Sequence, residues 1–233
     1  TNLPGFAIPA KAGIQDKRPG CPLARGRRAL AIERRKLNNG ENNLRLGFLG
    51  FGEAASRFAQ DLSRAGLTGI VAYSRSGAKA LPGDPLHAQA LAAGAQLVAT
   101  TRELCKRSDV IIALTPGKAA LAAVRSVRRY LRPGHIYVDA SAVAVKSMER
   151  AAALLEGRAR FVDAAIMSPV PMNGIKALMA VSGAHAGEFR ALMAPYGMNV
   201  QVVGAKPGGA SAMKLIRSVC IKGLAAVLLE SLE

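Results

Sequence analysis

The sequence predicts an α/β fold: a doubly wound, mostly parallel sheet, followed by the first long helix of a truncated all-α carboxy-terminal domain. Three observations carry this. From Leu44 onward, short β-like runs alternate with helical stretches, and the connections are too long for hairpins. The run "SDVIIALT" at 108–115 is almost unbroken apolar text, as in strands covered on both faces. From Gly209 to the end, "GASAMKLIRSVCIKGLAAVLLESLE" reads as a single apolar helix.

The elements follow in order. "LRLGFLG" at 44–50 is a strand, and "EAASRFAQDLSRAG" is an amphipathic helix closed by Gly66. "GIVAYS" is a second strand, "DPLHAQALAAG" a short helix and "AQLVAT" a third strand. "SDVIIALT" is the fourth, and "KAALAAVRSVRRYL" a helix ending before Pro133 and Gly134. "HIYVDAS" is the fifth strand, "VKSMERAAALLEG" a helix and "ARFVDAA" the sixth strand. "KALMAVSG", a helix near "HAGEFRALMAPYG" and "NVQVVG" extend the sheet. Residues 44–205 are thus expected to form one domain and 206–233 to begin another. Residues 1–43 mix Pro, Gly and basic side chains without a sustained period, as a disordered lead would. Position 1 is Thr and the text stops in mid-helical pattern, so a fragment is expected at both ends.

Composition narrows the function classes. Half of the 233 residues are hydrophobic and 4% aromatic, which suits helices packed on a sheet. No apolar run nears the roughly 18 residues of a membrane span. Lys and Arg number 32 against 15 Asp and Glu, for a net charge of +17. The basic residues beyond position 45 are scattered and lack interleaved aromatics, which argues against a nucleic-acid stacking surface. An anionic cofactor and a solvated basic face account for the charge. Cys21, Cys105 and Cys220 are far apart, and with the three histidines they form no metal-ligand spacing. A reducing, cytoplasmic setting fits that usage.

The stretch Gly50-Phe51-Gly52-Glu53-Ala54-Ala55 leaves a predicted strand and opens a predicted helix. In that context the first glycine permits a tight turn, and the second lets backbone approach a pyrophosphate. The small third position, Ala55, allows close helix–strand packing. The helix amino terminus supplies free N–H groups and a positive dipole. At the end of the second strand stand Ser74, Arg75 and Ser76, where an NAD site carries an acid for the ribose 2′-hydroxyl. A guanidinium and two hydroxyls there suit a 2′-phosphate. NADP is therefore expected, with NAD the less favoured cofactor.

These pieces, with "SDVIIALTP", "YVDASA", "FVDAAIMSPV" and "GASAMKLIRS", resemble the 6-phosphogluconate and β-hydroxyacid dehydrogenases in order and spacing from Leu44 to Glu233. That family includes 3-hydroxyisobutyrate dehydrogenase and glyoxylate reductase. The likeness is nearest to its phosphogluconate-dehydrogenase-like branch, whose carboxy-terminal domain has no assigned function. The resemblance implies a Rossmann domain with Leu114, Thr115 and Pro116 beside the nicotinamide half of the cofactor. It implies Ser141 and Ser168 near the substrate. Ser168 lies in Met167-Ser168-Pro169, where the family has Ser-Gly-Gly. It makes Lys214 the catalytic lysine, with Arg217 and Ser218 on the same helical face where the family carries Asn-type residues. An ammonium there can donate a proton during reduction, and the neutral amine can accept one during oxidation.

The expected activity is NADP-dependent hydride transfer involving a small, anionic hydroxy acid or its keto or aldehyde counterpart. Alternatives of the same fold are an imine reductase and a catalytically impaired NADP-binding protein. A homodimer through the carboxy-terminal helical region is the expected assembly.

Overall fold

A computed structural model describes residues 44–78 and 84–232. The expectation for residues 1–43 lies outside the described residues. Strand β1 (Leu46–Leu49) leads into helix α1 (Glu53–Arg64), then β2 (Ile70–Tyr73), α2 (Pro85–Ala92) and β3 (Ala95–Leu97). There follow α3 (Thr101–Arg107), β4 (Val110–Ala113), α4 (Ala120–Arg128), β5 (Ile136–Asp139) and α5 (Val145–Leu155). The chain continues through β6 (Arg160–Ile166), the short α6 (Val170–Asn173), β7 (Met179–Ser182), α7 (Ala186–Met193), β8 (Val200–Gly204) and the long α8 (Gly209–Glu230).

The sheet order is β3-β2-β1-β4-β5-β6-β7-β8. Its first six strands are parallel, and the order reverses between β1 and β4. β7 then runs antiparallel to β6, and β8 parallel to β7. The doubly wound, mostly parallel sheet and the long final helix are as the sequence predicts. The antiparallel step arises because residues 167–178 hold only α6 and one 3₁₀ turn, a connection that stays at one end of the sheet.

Strand periodicity sorts the core into two layers. Leu46, Phe48, Val110, Ile112, Ile136 and Val138 point to one face, where Phe58 and Leu62 of α1 and Phe189 of α7 cover them. Leu49, Ile111 and Tyr137 point to the other, under Leu104 of α3, Val124 of α4 and Met148 of α5. Both faces of the central strands are therefore dry, which explains the absence of apolar–polar alternation in "VIIA" and "IYV". Helix α3 is an element the sequence reading does not assign. Its Thr100 side chain caps the helix by accepting from the Glu103 amide at 3.1 Å, a Thr-x-x-Glu signature.

Candidate functional site: a crevice at the strand-order reversal

The end of β1 and the end of β4 are laced together at the reversal. The Leu114 amide donates to the Leu49 carbonyl at 2.9 Å, and the Gly50 amide donates to the Tyr73 carbonyl at 2.7 Å. Gly50 has φ +96°, and a Cβ there would stand 2.4 Å from the Leu114 carbonyl oxygen. Only glycine fits this crossing. Gly52 differs: its φ is −106°, and a Cβ would meet nothing within 4 Å. Gly52 is also the residue preceding α1, and no side chain caps that helix. The first amides of α1 thus lack an intrahelical partner and face open space, the arrangement that holds phosphate oxygens. Phe51 is buried in the core beside Ala55, and Ala54 is half-buried. Glu53 is exposed, so its contribution at the turn is its backbone amide.

Past β2 the chain makes a turn in which Ser74 Oγ accepts from the Gly77 amide at 2.8 Å. That contact leaves the Ser74 hydroxyl hydrogen available. Arg75 and Ser76 are exposed, and with Tyr73 and Ala78 they line an open depression among the described residues. No carboxylate pairs with Arg75 among the described residues.

On the opposite side of the crevice, Thr115 Oγ1 lies 3.0 Å from Ser141 Oγ. Leu114 and Thr115 are half-buried and Pro116 is exposed. Ser141 itself is only 3% exposed, and its amide donates to Asp139 Oδ1 at 3.0 Å. The hydroxyl nearer the open side of this pair is therefore that of Thr115, whereas sequence reasoning gave the substrate-facing hydroxyl to Ser141. Ser168 is half-buried, and its Oγ accepts from the Leu178 amide at 3.0 Å, which pins the loop leaving β6.

Helix α8 is tied down by Asp163, a carboxylate buried within β6. It accepts from the Gly208 amide at 2.9 Å, the Ser211 amide at 3.1 Å, Ser211 Oγ at 2.7 Å and Ser182 Oγ at 2.9 Å. Ser182 Oγ accepts from the Ala210 amide at 3.0 Å. Sequence reasoning missed this residue. Its signal is one acid inside an otherwise apolar strand, "FVDAA". One turn beyond Ser211 lies Lys214, half-buried, whose amine burial holds below the ordinary 10.5. No carboxylate pairs with it among the described residues. Arg217 is committed elsewhere: its Nη1 donates to the Met167 carbonyl at 2.6 Å. That bond docks the face carrying Lys214 and the half-buried Ser218 onto the end of β6.

The residues set aside at the sequence level are structural. Cys105 is buried and its thiol is pushed up to about 12 by desolvation, so it is no nucleophile. His135 accepts from the Arg132 amide at Nδ1 (2.8 Å), which leaves Nε2 to donate to the Cys105 carbonyl at 3.0 Å. Burial pulls its pKa down and keeps it neutral. No metal-ligating cluster occurs among the described residues.

Fold and crevice together define a dinucleotide-binding α/β domain. Residues 45–204 match the family described as the NAD binding domain of 6-phosphogluconate dehydrogenase, and the chain belongs to that family. An uncharacterized 28.5 kDa protein of Methanothermus fervidus is 28% identical over 187 residues, covering 80% of this chain and 69% of that protein. A conserved hypothetical protein of Sinorhizobium meliloti superposes with a TM-score of 0.75 at 31% identity, over 81% of this chain and 63% of the other. A conserved protein of unknown function, described as similar in structure to 3-hydroxyacid dehydrogenases, gives 0.70 at 33% identity, over 81% and 68%. A reductive aminase from Aspergillus terreus, in complex with NADPH4, cyclohexanone and allyl amine, gives 0.64 at 25% identity, over 81% and 64%. The chain thus spans about two thirds of the length of the proteins it matches. The fold is that of NAD(P)-dependent dehydrogenases. No helix among the described residues is long and apolar enough to cross a membrane.

Proposed function

We propose that this chain binds NADP and belongs to an oxidoreductase that transfers a hydride between nicotinamide and a small, anionic hydroxy acid or its keto or aldehyde counterpart. One observation carries the cofactor half: Gly52 opens an uncapped helix amino terminus onto free space beside Gly50. The exposed Arg75 at the depression past β2 supports the 2′-phosphate. When bound, the nicotinamide supplies or accepts the hydride.

The chain's own residues do the rest. The Gly50–Ala55 turn orients the cofactor through backbone amides. Lys214 Nζ, desolvated and without a counter-ion among the described residues, donates a proton to the oxygen that becomes a hydroxyl, or accepts it in the reverse direction. Leu114, Thr115 and Pro116 border the ring half, and Ser168 and Ser218 stand on the substrate side with Ser141 beneath. A second reading, reduction of a C=N bond, is favoured by Arg217, whose guanidinium is engaged by the Met167 carbonyl rather than left open to an anion. Imine reductases and a reductive aminase are among the structural neighbours.

Affinity and turnover test the proposal together. NADPH is expected to bind at least about tenfold tighter than NADH, a difference of about 1.4 kcal/mol. Arg75→Ala is expected to erase that gap. A panel of small oxo acids and cyclic imines, assayed by NADPH oxidation with and without Lys214→Ala, separates the two chemistries. Equal affinities for the two cofactors remove the NADP assignment.

The assembly proposed is a homodimer through α8. Ile216, Val219, Leu224, Val227 and Leu229 on that helix are each more than 60% exposed, an apolar surface that a second copy would cover.

A further inference from the structure

At the carboxyl ends of β4 and β5, three polar side chains are joined in series. Asp139, fully buried, receives hydrogen bonds from both the amide and the hydroxyl of Ser141. Ser141 Oγ in turn lies 3.0 Å from Thr115 Oγ1. Each hydroxyl has one hydrogen to give. Ser141 directs its hydrogen to Asp139, so its Oγ meets Thr115 as an acceptor, and the Thr115 hydrogen is used in that bond. What Thr115 Oγ1 has left to offer a ligand is lone pairs. The direction of this chain does not depend on the charge of Asp139, because Oδ1 accepts whether the carboxyl is ionised or carries its proton on Oδ2.

We infer that Asp139 is a positioning residue that fixes Thr115 as a hydrogen-bond acceptor at the ring end of the crevice, matched to the amide N–H of a nicotinamide carboxamide. The inference rests on the cofactor reading above. With phosphates at the Gly50–Gly52 turn and the adenosine end beside Arg75, an extended dinucleotide crosses the strand-order reversal and places its other half over β4 and β5. Thr115 borders that path: its Cγ2 is 3.3 Å from where a Cβ on Gly50 would stand. Asp139 Oδ2 has no partner among the described residues, so packing alone does not account for a carboxyl here. Burial pushes its pKa up while the two bonds from Ser141 oppose the rise, as expected of a group retained for the bonds that it accepts.

The test is calorimetric titration of the purified chain with NADPH and with its reduced 3-acetylpyridine analogue, in which a methyl ketone replaces the carboxamide and no N–H is offered. Wild type is expected to prefer NADPH by about three- to tenfold, the worth of one hydrogen bond. Ser141→Ala and Asp139→Ala release the Thr115 hydroxyl, which can then turn its hydrogen toward the ketone, so the preference should collapse mainly through tighter analogue binding. Asp139→Asn keeps an acceptor at Oδ1 and should restore the preference. Should Asp139→Ala fail to fold, Ser141→Ala and the near-isosteric Thr115→Val carry the comparison. A folded Ser141→Ala with the wild-type preference overturns the inference and leaves the cofactor reading standing. No NADPH binding by wild type removes both.

Discussion

Gly50 and Gly52 stand two residues apart, yet a methyl group added to each has different consequences. At Gly50 it meets the Leu114 carbonyl and a φ of +96°, so Gly50→Ala should lower stability by about 1–3 kcal/mol in denaturant unfolding. At Gly52 it meets open space, so Gly52→Ala should unfold as wild type does while losing dinucleotide affinity. The tight turn at Gly50 is legible in the sequence, but its collision partner is not, because Leu114 is brought there only by the pairing of β1 with β4. The same limit explains Ser141, which reads as substrate-facing in the text and proves buried under Thr115. Lys214 is legible by its place in a long helix, and burial adds a pH signature. Its folded-state pKa lies below the 10.5 of an exposed lysine, so the unfolded chain binds more protons between the two values and stability rises with pH through that window. Lys214→Met should flatten that rise in stability curves measured against pH, and abolish proton-coupled reduction while leaving NADPH binding.

At the level of elements, α8 depends on a strand that it follows by more than forty residues. Asp163 satisfies two amides at the start of α8 and two hydroxyls, so Asp163→Ala leaves buried donors without partners. A loss of about 3 kcal/mol is expected, with Asp163→Asn milder because one acceptor oxygen remains. Hydrogen exchange should show the first turn of α8 opening before the sheet does. If both substitutions leave α8 as protected as wild type, the carboxylate does not hold the helix. Every strand was readable from apolar runs, since burial on both faces leaves a strong signal. The reversal at β7 was not, because the connection through α6 carries no periodicity that distinguishes a return from a crossover. Helix α3 is short enough that its cap, not its length, announces it.

The whole molecule combines a closed sheet with an open helix. Among the described residues, the large exposed hydrophobics are concentrated on α8. Replacing Val219 and Leu224 with Lys should reduce concentration-dependent association in sedimentation without altering cofactor affinity, because the crevice is made by the ends of β1, β2, β4 and β5. The excess of basic side chains is consistent with an anionic ligand, yet only Arg75 borders the depression past β2. Charge totals therefore carry little of the assignment, and the turn at Gly50 carries most of it. The most direct measurement is a fluorescence titration of NADPH into wild type and Gly52→Val, each with its apo melting curve. The expected result is saturable binding by wild type and at least tenfold weaker binding by the variant, with matching melting curves. No saturable binding by wild type, or equal binding by a folded Gly52→Val, would contradict a pyrophosphate seated on the amides of α1.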